Sequence, residues 1–96
     1  MSVALTILEQ LGGNRFVMMT GAKSLVKGSD SLTFRLGRNK SKANLIQITL
    51  TEADEYDMTF YKLRGIDLQV VDAVSGLYVE NLVECFENKT GLYTSL

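Results

Sequence analysis

Ninety-six residues with a formal charge of −1, 46% apolar and 22% charged, match ordinary globular usage and one small core, which argues against disorder, a fibrous chain or a second domain. The longest apolar runs reach only a few residues, far below the ~20 that span a bilayer, and no basic stretch leads into an apolar one at the N-terminus, so neither membrane insertion nor secretion is expected. The lone cysteine, Cys85, excludes an internal disulfide, and the absence of histidine removes the usual general base and the commonest transition-metal ligand. The expectation is a protein of a reducing cytoplasm with no cofactor, no metal and no catalytic centre.

Ala4, Ile7, Leu8 and Leu11 recur at helical spacing and Gly12-Gly13 halts them, which predicts a short opening helix capped by Ser2 or Thr6. Phe16 and Met18 alternate with Arg15 and Val17 before Gly21, predicting a first strand. Leu32, Phe34 and Leu36 alternate with Thr33 and Arg35 in a second; Ile46, Ile48 and Leu50 with Gln47 and Thr49 in a third. Tyr56, Met58 and Phe60 alternate with Asp57, Thr59 and Tyr61 in a fourth. After Gly65, Ile66, Leu68 and Val70 alternate with Asp67, Gln69 and Val71 in a fifth that ends near Ala73, with Gly76 as its breaker. Val79, Leu82, Val83 and Phe86 then return to helical spacing with Glu80, Glu84 and Glu87 opposite and Gly91 as the stop.

These elements predict one α+β domain over residues 1–96: an N-terminal helix, about five strands in an antiparallel meander and a C-terminal helix, in two layers. The connections are too short for parallel crossovers. Phe16, Phe34, Ile48, Met58, Leu68, Leu82 and Phe86 form the expected core, with both helices on the face that bears Phe34, Ile48, Met58 and Leu68. The other face then presents Thr33, Arg35, Gln47, Thr49, Thr59, Tyr61 and Gln69 to solvent or to a ligand or second copy.

Charge is unevenly spread. From Arg15 to Lys42 the cations Arg15, Lys23, Lys27, Arg35, Arg38, Lys40 and Lys42 face Asp30 alone, seven against one, a balance of +6. Arg38, Lys40 and Lys42 recur at every second position of a polar loop between two strands, with Arg35 just before it. Long cations beside small polar donors neutralise phosphates without reading bases, so this loop is the candidate nucleic-acid-binding site. A solvated hairpin loop is the simpler reading, and the sequence pI near 5.3 is not that of a dedicated nucleic-acid binder.

Other constellations are weaker. Glu52, Asp54, Glu55 and Asp57 crowd one turn without calcium-loop spacing, and Thr51 is placed to cap one helical turn there. Such carboxylates also suit a basic protein partner. Gly21-Ala22-Lys23-Ser24 has part of a phosphate loop but not its spaced glycines. Cys85 sits near the apolar side of the last helix with no histidine to activate it, which reads as packing rather than as a nucleophile.

The segments Ile7-Leu8-Glu9-Gln10-Leu11-Gly12-Gly13-Asn14-Arg15-Phe16, Met19-Thr20-Gly21-Ala22-Lys23, Ile48-Thr49-Leu50 with Tyr56-Asp57, and Thr90-Gly91-Leu92-Tyr93-Thr94-Ser95-Leu96 resemble a family of small proteins encoded by phages, prophages and other mobile elements of bacteria. The resemblance implies an accessory role in the bacterial host cytoplasm and brings no catalytic residues with it; the absent histidine adds the expectation that the role is non-enzymatic. Two functions compete on this reading. One is binding of DNA through the basic loop; the other is a protein-binding module that inhibits a host defence system. Self-association is compatible with either.

Overall fold

The computed structural model of the protein describes residues 2–94. Helix α1 spans Val3–Leu11, and its N-cap is Ser2, whose Oγ accepts from the Leu5 N–H at 3.2 Å. Ala4, Ile7 and Leu11 turn one stripe inward. The helix closes where the N–H groups of Gly12 and Gly13 donate back to the Leu8 carbonyl, Gly13 at a left-handed φ of 63°.

Asn14–Thr20 is a second helix, α2, where alternation predicted a strand. Four alternating residues are too few to fix a period, and Phe16 and Thr20, one helical turn apart, are the two that are buried. The Thr20 hydroxyl donates to the Phe16 carbonyl at 2.7 Å. Met18, expected on the side of Phe16, is instead 83% exposed.

The sheet is a meander of five antiparallel strands in the order β1-β2-β3-β4-β5: β1 Lys23–Lys27, β2 Ser31–Arg35, β3 Leu45–Leu50, β4 Tyr56–Arg64 and β5 Asp67–Leu77. Strand β1 carries no sequence signal, because as an edge strand with only Leu25 partly buried it lacks an alternating apolar face. The inner strands keep the predicted alternation. Leu32, Phe34, Ile46, Ile48, Met58 and Phe60 are fully buried on one face. A 3₁₀ turn, Val79–Asn81, leads into helix α3, Leu82–Thr90, which ends at Gly91 with φ 73°.

The helices lie on the face of Phe34 and Ile48, giving two layers around one mixed α+β core. At its centre Phe16 meets Phe34 and Phe86 edge-on, with ring centroids 5.3 and 5.2 Å away. Such contacts add to the ordinary gain from burial.

Leu68 departs from the expected core, being 52% exposed. Strand β5 runs past Ala73 to Leu77 and carries Gly76 at φ 71° inside it. Its register slips where Phe60 faces Asp72 but Tyr61 faces Val70, so Val71 is an extra residue. A bulge of this kind reverses which side chains face which side. Leu68 and Val70 therefore join Leu63 and Tyr61 on the open face, while Gln69 crosses to the side of Lys62.

Candidate nucleic-acid interface

In a meander, alternate connections gather at the same end of the sheet. The β2–β3 loop (36–44) and the β4–β5 turn (65–66) share one end; the β1–β2 turn (28–30) and the β3–β4 turn (51–55) share the other. The first end carries Lys23, Arg35, Arg38, Lys40, Lys42, Lys62 and Arg64 against Asp67. The second carries Asp30, Glu52, Asp54, Glu55 and Asp57 against Lys27.

The basic loop is held by its own polar side chains. Asn39 Nδ2 donates to the carbonyls of Gly37 and Ala43 at 2.9 and 2.7 Å, and Asn39 Oδ1 accepts from the Ser41 N–H at 3.0 Å and from the Ser41 hydroxyl. Asn44 clamps the loop to β4: its Nδ2 donates to the Leu63 carbonyl at 2.8 Å and its Oδ1 accepts from the Leu63 N–H at 2.7 Å. Satisfying these main-chain groups fixes the loop in place of a regular ladder. Arg38 and Lys42 are thereby displayed on an ordered scaffold, Lys42 at a left-handed φ of 66°.

The four residues singled out from sequence take three positions. Arg38 and Lys42 line one cleft of about 410 Å³, together with Asn39, Asn44 and Lys62. Arg35 lies on the open face of the sheet, paired across strands with Lys23 and Leu45. Lys40 turns toward helix α3, where its N–H donates to the Thr90 carbonyl at 2.9 Å. A Cβ on Gly91 would come within 3.3 Å of the Lys40 Cβ. The Lys40 main-chain N–H thus caps the C-terminus of α3, while its side chain does not line the cleft.

Lys62 and Arg64 belong to this end but escape a reading of the basic loop alone. Lys62 lines the first cleft and, with Arg64, Asp67 and Gln69, a second of about 260 Å³. Their signal was the meander itself, which returns the end of β4 beside the start of β3. Among the described residues the ion pair within 4.0 Å is Lys89 with Asp72, on α3 and β5, so the cations of the cleft have no carboxylate partner there.

The remaining candidates resolve as follows. The acidic segment is the β3–β4 hairpin turn: the Thr51 N–H donates to the Glu55 carbonyl at 2.8 Å, the Asp54 N–H donates to the Thr51 carbonyl at 3.0 Å in a single turn, and Thr51 Oγ1 caps it by accepting from the Glu55 N–H at 3.4 Å. Among the described residues no group of His, Cys, Asp or Glu is placed to hold a metal ion. Gly21 is the left-handed cap that ends α2, and the chain runs from helix into strand, the reverse of a phosphate loop. Cys85 packs half-buried against the core, and burial pushes its thiol above its ordinary pKa. Among the described residues no helix is long and apolar enough to cross a membrane.

Fold and charge together describe a small α+β meander with a structured basic end. No family model matches the chain, and no curated protein or solved structure matches it.

Proposed function

We propose that the protein binds nucleic acid through backbone phosphates at this basic end, as a non-enzymatic accessory protein of a phage or mobile element acting in the bacterial cytoplasm. The observation that supports this most is the convergence of Arg38, Lys42 and Lys62 on one cleft with no carboxylate within ion-pair distance among the described residues. Phosphate is the ligand such a site suits: three cations neutralise it, and Asn44, which spends one amide hydrogen on the Leu63 carbonyl, borders the same cleft. Contact with phosphates alone gives weak, sequence-tolerant, salt-sensitive binding.

The test is a triple variant, Arg38→Ala with Lys42→Ala and Lys62→Ala, titrated with DNA across a salt series and checked for folding by circular dichroism. Removing three phosphate contacts lowers the logarithmic salt slope by roughly three on a duplex and about two on a single strand. Lys40→Ala is the control, expected to keep the slope. A native protein that fails to bind even at low salt, or a triple variant with an unchanged slope, overturns the reading.

A second reading, a protein module directed against a host defence system, draws its support from the opposite end, where Glu52, Asp54, Glu55 and Asp57 crowd one turn and its flank. Affinity capture from host cells with and without nuclease separates the two: partners retained after nuclease treatment favour the protein module.

A further inference from the structure

Resting on that reading, we infer that the nucleic acid bound is single-stranded, and that its bases lie on the open face of the sheet beside the phosphate cleft. One row across the five strands of this face runs Lys23, Arg35, Leu45, Tyr61, Val70, two cations followed by three apolar or aromatic side chains. Next to it Leu63 faces Leu68. Leu68 is 52% and Val70 62% exposed, so the corner is an uncovered apolar surface. Its edge toward β1 is cationic through Arg35 and Lys23. Across the end of the sheet lies the cleft of Arg38, Lys42 and Lys62, and Asn44, which borders that cleft, also clamps Leu63.

Charge and shape select the occupant. An apolar surface flanked on two sides by cations that have no carboxylate partner among the described residues complements a chain that is itself apolar on the faces of its bases and anionic along its backbone. A single strand offers both together, and base packing on such a platform tolerates sequence. A duplex hides the faces of its bases in the stack and admits into its major groove a helix or a two-stranded ribbon, not the face of a five-stranded sheet. Phosphates at Arg35 and in the cleft would set the path, with bases resting on Tyr61, Leu68 and Val70.

The experiment compares native protein with the double variant Leu68→Ser, Val70→Ser on a 20-nucleotide oligothymidine and on a duplex of the same length, with sedimentation to follow oligomeric state. Both side chains are solvent-exposed, so the fold is expected to survive; circular dichroism checks this, and Leu68→Ala with Val70→Ala serves if it does not. The native protein should prefer the single strand, and the double variant should lose about tenfold of that affinity while its duplex binding stays unchanged. Equal affinity for the two forms, or an unchanged single-strand affinity in the variant, overturns this inference and leaves the phosphate cleft standing. A native dimer that the variant turns monomeric, with DNA affinity unchanged, assigns the face to a second copy and likewise overturns it. Loss of all binding in the Arg38, Lys42, Lys62 variant with none in the Leu68, Val70 variant locates the failure in the sheet face rather than in the cleft.

Discussion

Lys42 holds a backbone conformation that costs stability. Its φ of 66° places a long β-carbon-bearing side chain in the left-handed region, where a side chain other than glycine, asparagine or aspartate costs about 1 kcal/mol. The surrounding loop enforces that conformation, since the Lys42 N–H donates to the Asn39 carbonyl at 3.1 Å while Asn39 itself holds Gly37, Ser41 and Ala43. Lys42→Gly removes the strain and, after the extra entropy of a glycine in the unfolded chain, is expected to stabilise the protein by about 0.5 kcal/mol in urea denaturation. On the phosphate reading the same variant loses one contact, lowering the duplex salt slope by about one. A gain in stability with unchanged binding would mean that the strain serves only the loop. The alternation of Arg38, Lys40 and Lys42 was legible in the sequence, but not that Lys40 would turn to the end of α3. That outcome depends on Gly91 leaving room for it, a tertiary contact with no local signal.

Among the elements, the inner strands were legible because each buries one face fully, so their period of two is unbroken from Leu32 to Phe60. Helix α2 and strand β5 were not, for opposite reasons. In α2 a short segment satisfies two periods at once, and the helical one wins because Phe16 completes the cluster with Phe34 and Phe86. In β5 the alternation is genuine, but the extra Val71 reverses its sides, and a bulge leaves no mark on the hydrophobic pattern. Asp72, just beyond that bulge, ties β5 to α3 through Lys89, with Oδ2 and Nζ 2.7 Å apart. The Lys89 hydrogen bond first, then the Ala73 N–H, holds the Asp72 carboxyl below the ordinary carboxylate range, and Asp72 in turn raises Lys89. Because the carboxyl's pKa is lowered on folding, its contribution is present above the ordinary carboxylate value and lost as pH falls through the lowered one. The raised ammonium acts in reverse: its share is present below the ordinary lysine value and lost as pH rises through the raised one. Both side chains are solvent-exposed and screened, so Asp72→Asn is expected to lower the melting temperature by a few degrees at most near neutral pH. The difference from native protein should vanish in strong acid, which a melting series against pH would read directly; a gap that persists there would show that Asp72 acts by packing.

At the scale of the whole molecule, a net charge of −1 conceals two opposed ends. The excess of cations in the first half of the sequence hinted at this, but Lys27 lies at the opposite end while Lys62 and Arg64 join the basic one, so polarity follows the meander and not the order of the chain. Strand β3, Leu45–Leu50, spans most of the distance between the ends, about 20 Å at ~3.4 Å per residue. That separation lies below the Debye length of about 30 Å at 0.01 M salt and well above the ~8 Å at 0.15 M. The acidic end should therefore repel a phosphate chain approaching the cleft at low salt and be invisible to it at physiological salt. Neutralising it, with Glu52→Gln, Asp54→Asn and Glu55→Gln together, is expected to speed association with an oligonucleotide several-fold at 0.01 M salt and to leave it unchanged at 0.15 M. The Arg38, Lys42, Lys62 variant should behave differently, keeping part of its deficit at both, because direct contacts are screened far less than a field acting across the molecule. Stopped-flow association rates for the three proteins at the two salt concentrations provide the measurement. If neutralising the acidic turn raises the rate equally at both, the turn lies in the path of the bound strand and the site extends along the sheet; if it lowers the rate, nucleic acid does not approach the basic end at all.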